Sequence, residues 1–348
     1  MATTSIDNAQ KGLAYFPDYG IYTTWYLENR DKKAYAVWQQ LVRDLDRTCA
    51  QLGFKTVVIA GIGFELLEAW SEFFGGQLPE GMGGKEKLRQ HKLFLGNTGG
   101  DLWFHIKSDN PEHAEKLLQL IEGMLQPLLS KNPGEQPLIV PAEKRNKGKV
   151  LGGRFTDGLE NPADIQDLSD RVVIGDYDPK HSGGAFLITQ KFKHDWDKLN
   201  NMSELDKENM IGRDKKDRII PMHDESSHIK RVRQIDHEKV NMRLVRQALP
   251  YGHKTENKAN EKGIFFAGYA QSTHILDTIL DGIAGPKKGF VQDQLFSVTR
   301  GVAGSYWYIP SLSECKLADT PGSNQEVTVN PYFDIRSDNG YLFYNAVD

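Results

Sequence analysis

The sequence predicts an α+β protein made of two halves on one plan, with antiparallel sheets and helices to one side. Three observations carry that expectation. The chain has 348 residues, 39% hydrophobic and 26% charged, which is an ordinary globular composition and enough length for two domains. Two stretches, GGDLWFHIKSDNPEHAEKLLQLIEGM (99–124) and KGIFFAGYAQSTHILDTILDGIAG (262–285), each run from glycine through an aromatic strand and a polar turn into a helix. They lie roughly one domain's length apart, as a repeated unit would. Between them, NPGEQPLIVPAEKRNKGK (132–149) is rich in proline, glycine and charge and reads as a linker. The expected division is 1–140, 141–316 and a C-terminal extension, 317–348.

Along the chain, Ala34, Trp38, Leu41, Leu45 and Cys49 recur at three-to-four spacing and predict an amphipathic helix over 34–49. Lys55 to Ile59 reads as a β-branched strand, and Phe64 to Trp70 as a helix opening after Gly61 and Gly63. That GIG lacks the third glycine and the βαβ setting of a dinucleotide site. Ala185 to Gln190 is an expected strand and Asp195 to Asn209 a polar helix. Arg213 to Asp236 is charged and irregular, so a long functional loop is expected there. The tail from Leu317 carries turn residues with Tyr332, Phe333, Tyr341, Phe343 and Tyr344 and should pack rather than dangle.

Composition excludes several function classes. The net charge of −4 arises from 43 basic and 47 acidic residues mixed along the chain, without the basic face that nucleic acid requires. No stretch approaches the roughly 18 apolar residues of a membrane span, and MATTSIDNAQKGLAYF has no leader pattern. A cytoplasmic protein is expected. Cys49 and Cys315 form no CxxC pair and read as buried thiols.

Five segments of the second half carry the chemistry: GGRFTDGLENP (152–162), IGRDKKD (211–217), SSHIKRVR (226–233), LVRQALPYG (244–252) and GIFFAGYA (263–270). Singly, each has an ordinary reading. A lone His228 is more often a surface or satisfied core residue than a ligand. Asp157 before Gly158 and Asn161 before Pro162 are turn residues, and Arg213 and Arg246 are surface charges. In order and spacing together, the segments resemble the dye-decolorising peroxidases, in particular the compact bacterial members. The resemblance spans roughly residues 12 to 310, including VVIAGIGFELLEAW and DLWFHIK.

The resemblance implies two ferredoxin-like halves arranged like a dimeric α+β barrel, with the cofactor in the C-terminal half. It implies haem b, bound without covalent attachment since no CxxCH motif exists, with His228 as axial iron ligand. Asp157 becomes the distal acid–base group and Arg246 the distal charge stabiliser. Arg213 is assigned to a haem propionate, Asp293 to the far ring nitrogen of the ligand, and Phe266 and Asn161 to contacts with the cofactor. The expected partners are hydrogen peroxide and an organic reductant such as a dye or phenolic, in a homo-oligomer that binds neither nucleic acid nor membrane.

These roles suit the chemistry. A neutral imidazole leaves the opposite iron face open, and a carboxylate behind it raises its basicity. A positioned carboxylate can move a proton between the two peroxide oxygens, while a fixed guanidinium stabilises the charge on the leaving one. The chain departs from the family pattern at Arg154, where glycine is usual, at Ala248, where many members carry asparagine, and in the tail. The alternatives are a haem-binding or haem-trafficking protein, or one that removes iron from porphyrin like a deferrochelatase. A carrier needs His228 and Arg213 but has no use for Asp157 and Arg246.

Overall fold

The computed structural model describes residues 5–316 except 54, 84, 152, 163, 223, 234–242, 253–261 and 286–290. The extension 317–348, including the aromatics expected to pack, lies outside the described residues.

The first half begins with strand β1 (Tyr19–Trp25), helix α1 (Lys32–Leu52), strand β2 (Thr56–Gly63) and helices α2 (Phe64–Ala69) and α3 (Lys85–Gln90). Strand β3 (Leu102–Ser108), helix α4 (Pro111–Leu125) and strand β4 (Leu138–Glu143) complete it. The Asp31 side chain accepts from Ala34 N and starts α1, and Asn110 with Pro111 starts α4, both in the usual manner of helix N-termini. Strand β4, LIVPAE, runs through the stretch whose composition reads as a linker, with Pro141 and Glu143 inside the strand and Pro133, Pro137 and Lys144 to Lys149 outside it.

The second half opens with a hairpin, β5 (Lys149–Val150) and β6 (Phe155–Thr156), then α5 (Ile165–Val172) and β7 (Ala185–His194). The polar helix expected over 195–209 is two helices, α6 (Trp196–Asn201) and α7 (Glu204–Ile211). Ser203 breaks it by capping α7, its side chain accepting from Asp206 N. The expected loop over 213–236 holds a bridge between Arg213 and Ile219 and a helix, α8 (His228–Arg233). Charged residues mask both because neither has an apolar face of its own. Strands β8 (Val245–Arg246), β9 (Leu249–Tyr251) and β10 (Gly263–Ala270), helix α9 (Thr273–Ala284) and strand β11 (Thr299–Ile309) follow.

One sheet runs β7-β11-β2-β3-β1-β4-β9-β10-β8, and β7 also pairs with β10. That pairing closes the sheet into an antiparallel barrel. Each half is a β-α-β-β-α-β unit with the same strand order, β2-β3-β1-β4 in one and β9-β10-β7-β11 in the other, the ferredoxin-like arrangement. The two look-alike sequence stretches are β3 with α4 and β10 with α9, equivalent positions in the two units.

Side chains alternate across the strands. Tyr22, Trp103, Leu187, Phe265, Tyr269 and Trp307 fill the barrel. Ile21, Phe104, Ile188 and Tyr308 face outward, where residues of α1, α4 and α9 cover them. Each fully buried leucine on α1, such as Leu41, contributes about 1.5–3 kcal/mol.

Candidate haem site on the outer barrel face

The site is built on the outer face of the second half. His228 stands at the start of α8, which Arg231 ties to α9 by donating to Gly282 O at 3.1 Å. Asp293 lies opposite, almost fully buried, with Oδ2 2.6 Å from His228 Nδ1. Its other oxygen accepts from Leu295 N at 2.9 Å, and its own N–H donates to Ile283 O at 3.1 Å, so the carboxylate cannot rotate away. An ionised Asp293 accepts, which puts the ring proton on Nδ1 and leaves the Nε2 lone pair available. Nε2 has no hydrogen-bond partner among the described residues, and the side chain is 24% exposed. The structure thus brings Asp293 and His228 together.

Asp157 follows β6 in a tight turn. Gly158 has φ +76°, and a Cβ there would also stand 3.0 Å from Asn161 Nδ2, so this turn favours glycine. Asn161, expected among the cofactor contacts, spends its amide on the backbone of Arg246: Nδ2 donates to Arg246 O at 2.8 Å and Oδ1 accepts from Arg246 N at 3.0 Å. This clamp holds the Asp157 turn against β8, and Asp157 Oδ1 lies 3.5 Å from Arg246 Nη1. Strand alternation puts Arg246 on the outer face beside Gly268, its register partner. Ala248 occupies the next outward position.

A wall of rings joins the two clusters. Phe266 packs 6.4 Å from Phe192, which packs 6.4 Å from Phe296, three residues beyond Asp293. All three rings are half-buried. Gly268 makes room for Phe266, because a Cβ there would meet its ring at 2.9 Å.

Arginines gather at one edge. Arg213 and Arg233 both donate to Glu160 Oε1, at 2.7 and 2.8 Å. Burial raises the Glu160 pKa, but Arg233, Arg213 and Arg246 outweigh it and hold the carboxyl below its ordinary range. Burial lowers the Arg213 pKa somewhat. Arg213 projects just past Gly212, whose left-handed φ of +88° ends α7. His228 and Arg233 share one short helix, so this ion cluster ties the histidine's helix to the Asp157 turn.

Two residues that sequence reasoning missed position these groups. Asp217 accepts from Thr156 N at 3.0 Å and Thr156 Oγ1 at 2.7 Å, while its carbonyl accepts from Arg213 at 2.7 Å. It holds the residue before Asp157 and the arginine at the edge together. Glu160, inside the recognised segment, is the common partner of two arginines. Arg154, where glycine is usual, pairs with Glu204 at 2.9 Å and Glu208 at 2.6 Å on α7, so the departure anchors the β5–β6 hairpin.

Residues 149–314 match the family model for the C-terminal domain of Dyp-type peroxidases. The second half of the chain is thus similar to that family's C-terminal domain. The chain is 26% identical over 284 residues to the dye-decolorizing peroxidase of Rhodococcus erythropolis (strain PR4 / NBRC 100887), covering 78% of each protein. To the dye-decolorizing peroxidase of Mycobacterium tuberculosis (strain ATCC 25618 / H37Rv) it is 25% identical over 263 residues, covering 73% of each. Among solved structures, an arginine-to-leucine variant of Rhodococcus jostii RHA1 DypB in complex with heme superimposes with a TM-score of 0.72 at 22% identity, over 86% of this chain and 95% of that one. The encapsulated DyP-type peroxidase from Mycobacterium smegmatis gives 0.74 at 21% identity, over 89% and 97%. The shared fold of the dye-decolorising peroxidase family is thus present across both halves.

Proposed function

We propose that this protein is a haem-dependent peroxidase that reduces hydrogen peroxide and oxidises an organic co-substrate. Similarity to dye-decolorising peroxidases supports the activity class, and the residues of the outer face suit haem b. The macrocycle is flat and apolar with two carboxylates on one edge, which fits the half-buried wall of Phe192, Phe266 and Phe296 and the arginine cluster around one glutamate. His228 Nε2 would ligate the iron, with Asp293 fixing the ring, and Arg213 would hold a propionate. Bound haem would supply the redox centre, giving two electrons to peroxide and recovering two from the reductant.

The observation that carries the peroxidase reading over a carrier is the Asp157–Arg246 pair, 3.5 Å apart. Asp157 would take the proton from one peroxide oxygen and deliver it to the other, which already carries a hydrogen and so departs as water. Arg246 offers its guanidinium to the charge that builds on the departing oxygen. The surrounding rings limit water and so strengthen both effects. The mycobacterial relative is encapsulated, and the two cysteines here are free and buried, as suits a reducing compartment. A cytoplasmic homo-oligomer is the corresponding proposal for this chain.

Stopped-flow absorbance of the haem-loaded protein after peroxide addition tests the assignment. Removing acid–base assistance costs typically about 10²–10⁴-fold and removing one charge stabiliser about 10²–10³-fold. With Ala248 rather than a polar residue beside it, Arg246 has no donor next to it on the outer face of its own strand segment, whereas water can stand in for Asp157. Arg246→Leu should therefore slow the peroxide reaction more than Asp157→Ala. Near-wild-type rates in both, at matched haem content, would favour the carrier reading.

A further inference from the structure

Inside the barrel, behind Arg246, a lysine is fully buried. Lys107 of β3 has no exposed surface, and its ammonium donates to the carbonyls of Gly12 and Tyr15 and to Oε1 of Gln247. No carboxylate is among these partners. Burial pushes its pKa well down, and a lysine without a counter-charge is costly to bury. Three acceptors nevertheless match the three N–H groups of an ammonium.

Gln247 is the residue that follows Arg246. Its side chain turns into the barrel while that of Arg246 turns outward, and each of its polar atoms is held. The backbone N–H donates to Ala267 O at 2.9 Å, the carbonyl accepts from Tyr22 Oη at 3.0 Å, and Nε2 donates to Leu13 O at 2.7 Å. Lys107 holds the remaining oxygen. Arg246 itself is clamped from outside by Asn161 through both backbone groups. The short stretch between β8 and β9 is therefore gripped from both faces of the barrel wall, by groups from both halves of the chain.

We propose that Lys107, acting through Gln247, is a positioning residue for Arg246: the barrel-interior grip fixes the peptide that aims the guanidinium at Asp157 and the peroxide. A strand segment only two or three residues long has few ladder bonds to resist rotation. Turning it would swing Arg246 away from the outer face, because alternate residues point to opposite sides. The inference rests on the peroxidase reading of Arg246.

A double-mutant cycle tests it. Lys107→Met in the haem-loaded protein should slow the peroxide reaction by about 10–100-fold, the cost of a displaced catalytic group. The affinity for fluoride, an anion held on ferric haem by the distal donor, should fall with it. In an Arg246→Leu background the same substitution should change either quantity by no more than about twofold. Tyr22→Phe, which removes one hydroxyl, and Gln247→Met should show the same dependence on background, and they decide the matter if Lys107→Met does not fold. Equal losses with and without Arg246 would overturn the proposal. An Arg246→Leu variant that reacts with peroxide like wild type would instead sink the peroxidase reading.

Discussion

His228 and Asp293 are 65 residues apart in sequence and 2.6 Å apart in space. The carboxylate's value lies in being fixed: with one oxygen on Leu295 N and the other on Nδ1, it presents charge rather than a mobile partner. Weakening that charge makes the imidazole a poorer donor to iron. Asp293→Asn should therefore bind haem and raise its ferric/ferrous potential, measured by spectroelectrochemistry; an unchanged potential would reduce Asp293 to a cap of the following turn. His228→Ala should lose most of the Soret absorbance or keep it with an altered spin state. Arg213 poses a separate question, since Glu160 already occupies it. Arg213→Ala should weaken haem retention in a haem titration while leaving thermal unfolding of the apo-protein unchanged, if the arginine serves the cofactor rather than the fold.

Three carboxylate-bearing segments must stay in register for the outer face to form, and two of their acids have lowered pKa values. Burial raises the Asp217 pKa, but the N–H and hydroxyl of Thr156 and the ammonium of Lys149 outweigh it; Glu160 is lowered by its arginines. A depressed carboxylate contributes stability above its unfolded pKa, about 3.9 for Asp and 4.3 for Glu, and loses it as pH falls through the folded value. The account predicts that haem release begins below about pH 4 and that Asp217→Asn shallows this acid step. Asparagine tolerates the left-handed φ of +63° found there, so the backbone can persist. The sequence showed Asp157, His228 and Arg246 because each sits in a short recognisable segment. Asp217 was hidden in a charged run, where its partners depend on a turn that no periodicity announces. Lys107 was hidden at the end of an alternating strand, where an inward lysine looks like a solvated terminus. The helix at His228 escaped because it is short and basic, with Ile229 and Arg231 as its only buried residues.

At the scale of the molecule, the barrel's two seams are thin. Among the described residues, strand β4 pairs with β9 at Ala142 and Tyr251 alone, and β11 pairs with β2 at Trp307 with Gly63 and Tyr308 with Ile62. The halves are held chiefly by interior side chains such as Tyr22, Trp103, Phe265 and Trp307, and the repeated sequence pattern made that two-part plan legible. Strand β4 was less so, because its short apolar run is set among the prolines, glycines and charges of 132–149. With all proposed cofactor contacts in one half, haem should stabilise the native state by mass action, about 2.7 kcal/mol at a hundredfold excess over its dissociation constant. The most direct test of the central claim is the absorption spectrum of the purified, haem-loaded protein before and after one equivalent of hydrogen peroxide. The account predicts a ferric Soret band that shifts on mixing and returns when an organic reductant is added. A Soret band indifferent to peroxide, or slow bleaching without recovery, would contradict it.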